Sequence, residues 1–346
     1  MSKRSYPAVL MRGGGASGLF YLAEDLPTDS DELDKILISA MGSPDRYGVQ
    51  LDGLGKGTTS SSKSVIVSKS KSSDYDIEYL FAQISVENPS IDWTRSCGNL
   101  ASAAALFAVE EGLVDFTKED KIFFRMHQVN RDELIQATVN LNEGLVKLEF
   151  FESKSKEHKR VDYDPIIHVN VEGIGKIDVS VIDATNLVAF VRAKDLGVQI
   201  DGPINFLELK EKAEKIRVAV TKSANIQSGA TNPRILLVEA PRDFKDRSNR
   251  VIAKNQVDVI VFALSTHEIH AGLPMTAVMA ASVAAGINGT IVEKASSWKD
   301  HSSPIRVGHP SGVDRARPVS ASDRGSAVEI VIDARRLMSG LVHVNI

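Results

Sequence analysis

A single cysteine, Cys97, stands in a chain of 346 residues. That scarcity excludes an internal disulfide and a cysteine-rich metal site, and it fits a reducing, cytoplasmic setting. Long apolar runs are missing too: none reaches the ~18 residues of a membrane span. The N-terminus MSKRSYPAVL has two basic residues but no long apolar core or small-residue cleavage site behind it, so neither a membrane nor an export signal is expected. Neither sign of charge dominates, and the formal net charge of −4 argues against a nucleic-acid partner. The basic run SKSKEHKR reads as a solvated hairpin. An anionic ligand would have to be met by local groups rather than by the global field.

What is present is an ordinary globular composition, 43% hydrophobic and 25% charged, in a chain longer than the ~250–300 residues at which single cores stop growing. Two domains are expected, and comparing the halves suggests that they are copies. FYLAEDLP at 20–27 aligns with FVRAKDLG at 190–197, and KSVIVS from Lys63 aligns with RILLVE from Arg234. SCGNLASAAALFAVEEGLV from Ser96 aligns with EIHAGLPMTAVMAASVAAG from Glu268, setting Cys97 against His270. Both of these alanine-rich stretches are apolar almost all round, as a helix wrapped by strands would be. Two more helices, at 30–42 with Ser30 as N-cap and at 206–224, read as peripheral. The remaining apolar runs read as strands, GTIVE at 289–293 among them. The expected fold class is α+β: two pseudo-symmetric domains, residues 1–185 and 186–346, each a curled, mostly antiparallel sheet around a central helix.

Several residue patterns carry chemistry. Gly13, Gly14 and Gly15 are more glycine than a hairpin turn needs and suggest that something docks on the backbone there. A buried helix start presents unsatisfied N–H groups and a partial positive charge, which suits a carboxylate, and two such helices entering one cleft would hold two. Cys97 lies at such a start with Ser96, Gly98 and Asn99 beside it, an address that favours thiolate, although a lone cysteine equally fits a small buried hydrophobe. Lys63 follows the loop GLGKGTTSSS, between Ser62 and Ser64. Partial desolvation would make it a base, against the commoner reading of a solvated lysine. Its counterpart Arg234 cannot deprotonate and suits a carboxylate clamp. His267 and His270 form H-x-x-H without a third ligand, so no metal is expected. His309, Ser311 and Gly312 in GHPSG suit either a turn or an anion.

Together MRGGGASGLFYLAEDLP, MGSPDRYGVQLDGLGKGTTSSSKSVIVS, YLFAQISV, the Cys97 segment, IHAGLPMTA, GHPSG and ARRLMSGLV resemble the family of 2-methylaconitate cis-trans isomerase, 4-oxalomesaconate tautomerase and methylitaconate isomerase. The resemblance runs in order through nearly the whole chain. It implies a diaminopimelate-epimerase-like fold and cofactor-independent proton transfer on an unsaturated di- or tricarboxylic acid, with Lys63 matching the catalytic lysine and Cys97 the active-site cysteine. It leaves a homodimer open. In the family the glycine loop continues Thr-Ser-Lys or Thr-Ser-Arg, where this sequence has Gly15, Ala16 and Ser17. The loop is therefore expected to grip a carboxylate through Gly14, Gly15 and Ser17 rather than through a cation. With one cysteine the chain is a poor two-thiol racemase. A non-catalytic carboxylate-binding or accessory protein of the same fold is the alternative.

Overall fold

The computed structural model describes residues 3–115, 121–151, 163–184, 186–226, 233–264, 269–270, 272–321 and 325–346. The chain forms two compact units: Met1–Lys159 with Val331–Ile346, and Arg160–Ile330.

The first unit holds β1 (Lys3–Gly13), β2 (Ala16–Leu22), α1 (Ser30–Met41), β3 (Lys63–Lys69), β4 (Ile77–Ile84), β5 (Ile91–Asp92), α2 (Gly98–Glu110), β6 (Lys121–Gln128), β7 (Glu133–Asn140) and β8 (Leu145–Phe151). From β1 the sheet steps to β2 antiparallel, β3 parallel, β4 antiparallel, β6 parallel, then β7 and β8 antiparallel. The C-terminal segment from Ala334 to Asn345 pairs antiparallel with β1. Ala334 also donates its N–H to the Gly144 carbonyl in the β7–β8 turn (3.1 Å), so the sheet curls until its two ends meet at one residue. Alternation in β7, ELIQATVN, buries every second residue, as a sheet with one inner face requires.

Helix α2 fills that inner face. It touches β1, β2, β3, β7 and β8, and every residue from Leu100 to Val109 is buried. Its alanines let strands approach on all sides, whereas α1 is two-faced and packs Ile36, Leu37, Ala40 and Met41 on the outside of the sheet. The α1 N-cap is Asp29, one residue before the expected Ser30: its carboxylate accepts from the Glu32 N–H at 2.9 Å, a stronger cap at this helix end than a hydroxyl inside the first turn.

The second unit holds β9 (Ile167–Val171), β10 (Gly175–Ala184), β11 (Asn186–Arg192), α3 (Phe206–Ser223), β12 (Arg234–Glu239), β13 (Phe244–Lys245), β14 (Val251–Ile252), β15 (Val259–Ala263), α4 (Met275–Gly286), α5 (Ile291–Ala295), β16 (Ile305–His309) and β17 (Gly312–Ala321). The final strand, β18 (Gly325–Asn345), gives its first residues, Gly325 to Ile330, to β17 and its later ones to β1. The steps from β9 repeat those of the first unit: antiparallel to β10 and β11, parallel to β12, antiparallel to β15, parallel to β16, antiparallel to β17 and β18. Helix α4 is buried and touches β10, β11, β16 and β17, while α3 packs against β9 and β12.

The duplication extends to register. Phe20 faces Val65 as Phe190 faces Leu236, and Val67 faces Tyr79 as Val238 faces Val261. Two expectations are corrected. A boundary at 185/186 would cut a hairpin, since Ala184 pairs with Asn186; the first unit instead takes back the end of the chain to complete its sheet. GTIVE is a helix start rather than a strand, because Thr290 caps α5 by accepting from the Glu293 N–H at 3.1 Å. The run SKSKEHKR lies outside the described residues, as does His267.

Candidate functional site

Strand alternation sorts the expected site residues of the first unit onto two faces. Lys63, Val65 and Val67 of β3 point the same way as Tyr79, Phe81 and Gln83 of β4, their cross-strand partners, and the same way as Gly18 and Phe20 of β2. Phe20 meets Phe107 of α2 with ring centroids 5.6 Å apart, so this is the helix face. Ser64 and Ser17 fall on the opposite face with Leu19, Tyr21 and Ile66, which pack toward α1. The Ser64 hydroxyl is buried there without a hydrogen-bond partner. These two serines therefore do not gather with Lys63.

Lys63 itself is buried, 8% exposed. Its Nζ donates to Gln83 Oε1 at 2.6 Å and sits 4.9 Å above the Phe81 ring, while Gln83 Nε2 donates to the Ser62 carbonyl at 2.9 Å. The amine is thus held between a polarised amide and an aromatic face rather than solvated. Gln83 and Phe81 are partners that composition did not reveal, although an inward Gln at period two in YLFAQ was a signal.

What docks on the glycines is the beginning of α2. A Cβ on Gly13 would lie 2.1 Å from the Asn99 carbonyl oxygen, and one on Gly14, which has φ +49°, would lie 2.6 Å from Asn99 Oδ1. Gly14 and Gly15 are the two turn residues between Gly13 and Ala16, which pair, and the Gly14 N–H is taken by the Asp333 carbonyl at 2.9 Å. Gly18 lies between the Lys63 carbonyl, 2.7 Å from where its Cβ would be, and Leu100 at 3.1 Å. Glycine at 13, 14 and 18 therefore serves the close approach of helix start and strands. The consequence is that Gly14, Gly15, Cys97, Gly98, Asn99 and the Lys63 backbone come together.

Cys97 is the N-cap residue of α2, half-buried, and its side chain makes no capping bond. Ser96, next to it in sequence, and Tyr79 carry buried hydroxyls close to one another. Burial pushes the Tyr79 phenol well above its ordinary range; Glu133 and Cys97 nearby push the same way, and Ser96 pulls against them.

The loop that delivers Lys63 is organised by two side chains. The Asp45 carboxylate accepts backbone N–H bonds from Tyr47, Val49 and Gln50, and donation from the Tyr47 N–H leads in holding its pKa below the usual carboxylate range. Gln50, 1% exposed, donates to the Ser43 and Ser62 hydroxyls, both at 2.8 Å, and accepts from the Gly57 N–H at 2.9 Å. Ser62 is thereby a loop anchor.

In the second unit Arg234 opens β12 and His309 closes β16, both at one end of the sheet, and His270 lies there too through its N–H bond to the Ala263 carbonyl at 2.8 Å. His309 is buried; its Nδ1 accepts from the Ser311 N–H at 3.2 Å, and its Nε2 lies 3.1 Å from Asp314 Oδ2, off hydrogen-bond geometry. Gly312 pairs with His309 across a two-residue hairpin in which Pro310 and Ser311 are the turn. The alignment of Cys97 with His270 shifts in three dimensions: the N-cap of α4 is Pro274, and His270 precedes it outside the helix.

Capping separates two kinds of helix. Peripheral α1, α3 and α5 are capped by Asp29, Asn205 and Thr290, whereas α2 and α4 begin without a side-chain cap. An uncapped buried helix start keeps donors and positive potential for an anion. Among the described residues, no three His, Cys, Asp or Glu side chains gather where they would hold a metal ion, and no helix is long and apolar enough to cross a membrane.

Known proteins resemble this chain in sequence and fold. The 2-methyl-aconitate isomerase of Shewanella oneidensis is 30% identical over 400 residues, covering 99% of each chain. A crystal structure of methylitaconate-delta-isomerase superimposes with a TM-score of 0.77 at 27% identity, covering 99% of this chain and 96% of the other. A hydroxyproline epimerase from Agrobacterium vitis, at 12% identity and TM-score 0.60 with 99% and 92% covered, shares the fold, which is the diaminopimelate-epimerase-like fold. Matched along residues 3–153 and 161–345, the chain belongs to the PrpF protein family.

Proposed function

We propose that the chain is a cofactor-independent isomerase that relocates a proton within the allylic system of an unsaturated di- or tricarboxylic acid, of the methylaconitate or methylitaconate kind named for its relatives. The observation that carries the reading is the buried Lys63 amine, held by Gln83 and Phe81 on the strand face that meets the uncapped start of α2. Lys63 takes a proton from the carbon α or γ to a carboxylate. The electron pair left on carbon spreads into a dienolate, and the proton returns at the other end of the system. The N–H groups at the start of α2 stabilise the developing negative charge, the type of preorganised donor that contributes most to such reactions. Cys97, at the same helix end, is the second acid or base, and Arg234, at the matching position of the second unit, is suited to binding a carboxylate.

Proton NMR in deuterium oxide with aconitates, methylaconitate, itaconates and oxalomesaconate tests the reading. An isomerase incorporates deuterium at an allylic carbon of at least one of these acids. A carboxylate-binding protein of the same fold titrates without exchange, and that result would overturn the assignment.

A further inference from the structure

Lys63 and Gln83 are cross-strand partners on the helix face of the first unit, and the Gln83 amide is used at both ends. Its Nε2 donates to the Ser62 carbonyl at 2.9 Å, and its Oε1 accepts from Lys63 Nζ at 2.6 Å. A carbonyl can only accept, so the end of the amide that faces Ser62 is the NH2 group and the end that faces the lysine is the oxygen. The same carbonyl also takes the Ile84 N–H at 3.1 Å, which ties it to the neighbouring strand. Ser62 is held from its other side as well: its hydroxyl accepts from Nε2 of Gln50 at 2.8 Å, and Gln50 is itself buried. A continuous run of hydrogen bonds from Gln50 through Ser62 and Gln83 therefore ends on the lysine amine. Among side chains of this length, an amide suits both of its neighbours. A carboxylate would set an oxygen against the Ser62 carbonyl and a full negative charge against Nζ, which would hold the lysine as ammonium. An apolar chain would leave the carbonyl and the amine without this partner.

We propose that Gln83 is a positioning residue for the Lys63 amine: it fixes the place of Nζ with a neutral acceptor, so that the nitrogen is held in both of its protonation states and is not locked as ammonium. The proposal rests on Lys63 acting as the base, and it supplies the reason for an amide at position 83. Gln83 itself neither gains nor loses a proton. The amine keeps one N–H on Oε1 throughout; the proton that moves is another one, taken from the substrate carbon onto the nitrogen lone pair and returned from there to carbon.

The test is an NMR titration of the full chain carrying lysine labelled with 13C at Cε, whose chemical shift follows the charge on the amine; the Lys63 signal is the one missing from Lys63→Arg. Gln83→Met keeps the length of the side chain and removes the acceptor. A hydrogen bond to Oε1 favours the ammonium over the amine, so its loss should lower the Lys63 midpoint by about half to one pH unit. Gln83→Glu should raise the midpoint by about one unit or more. Gln136→Glu adds the same charge on β7, where residue 136 pairs with Arg125 and Glu149, and should leave the midpoint in place. In deuterium exchange, Gln83→Met should lose roughly tenfold or more in kcat with KM within a few fold, the mark of a misplaced base, and Gln83→Glu should recover activity as pH rises through its higher midpoint. An unmoved midpoint in either Gln83 variant, a shift of the same sign in both, an equal shift in Gln136→Glu, or an unchanged kcat in Gln83→Met overturns the proposal; should one Gln83 variant fail to fold, the other decides. The titration needs no substrate, so a wild type that exchanges no deuterium overturns the isomerase reading and leaves the titration to show by itself whether Gln83 governs the amine.

Discussion

The two units run through the same sequence of parallel and antiparallel steps, with matched register, around helices that both begin uncapped. Their inner faces differ where chemistry would be done. The first unit opens its third strand with Lys63 and places Tyr79, Glu133 and Cys97 nearby. At matching ladder positions the second has Arg234 and Val261, and its helix begins at Pro274. A lysine can exchange a proton near neutrality and an arginine cannot. A duplicated scaffold has thus kept its helix starts in both copies and has put the lysine and the cysteine into one. The comparison teaches that two copies of one architecture carry a lysine in one and a permanently charged arginine in the other at the same ladder position.

The largest expected effect tests that contrast. Lys63→Arg, which makes the first unit resemble the second, and Lys63→Ala should each lower deuterium exchange by ~10²-fold or more, the usual contribution of a positioned base. Arg234→Ala should raise KM and leave kcat within a few fold. The contrast fails if Arg234→Ala abolishes exchange at saturating substrate.

Next comes the packing that brings the glycine turn onto α2. Gly13→Ala puts a methyl 2.1 Å from the Asn99 carbonyl oxygen and should cost ~1–3 kcal/mol by overpacking against backbone. Gly15→Ala meets nothing closer than Asn99 Nδ2 at 3.9 Å and should stay within ~0.5 kcal/mol. Urea titrations of the two variants compare them directly. The contrast between capped and uncapped helices predicts a smaller step: Asp29→Ala should cost ~1 kcal/mol, whereas Cys97→Ser, which offers α2 a capping hydroxyl, should cost no stability.

Acid gives a prediction about the loop before Lys63. The Asp45 pKa is depressed in the folded chain, chiefly through the Tyr47 N–H, so its stabilising contribution is present above the unfolded value and fades as pH falls through the folded one. Amide protection at 45–51, corrected for the intrinsic pH dependence of exchange, should fall on acidification into that range, and Asp45→Asn should remove the dependence. The smallest expected effect is that of Ser17→Lys. Restoring the cation of the family pattern on the face turned toward α1 should leave the ranking of substrates unchanged in a competition assay, despite the carboxylate grip that the sequence suggests.

Much of this was legible in the sequence. The duplication and the two central helices follow from repeated motifs and from helices without a polar face, whereas Lys63 and Cys97 were linked only through the family resemblance. Side-chain direction was less accessible. Ser17 and Ser64 are neighbours of inward residues in sequence, and the two-residue period of a strand turns neighbours to opposite faces. The glycine run advertised a close approach, but sequence does not say whether the visitor is a ligand or the chain itself, here Asn99. The partition of the chain was hidden because it depends on which strand the last residues pair with. Tyr79 looked like one more apolar position in EYLFAQISV until its surroundings were known.

The long strand β18 has a consequence for how the protein is made. Lys3 pairs with Asn345 and Gly13 with Ala334, so the first unit cannot close its sheet until the ribosome has delivered residues 334–345. The second unit is continuous in sequence from Arg160 to Ile330 and is available to fold earlier. The N-terminal unit is therefore not the first to be completed during synthesis, unlike the usual case. While it waits, β1 carries an unpaired edge, the kind of surface that recruits chaperones or other nascent chains.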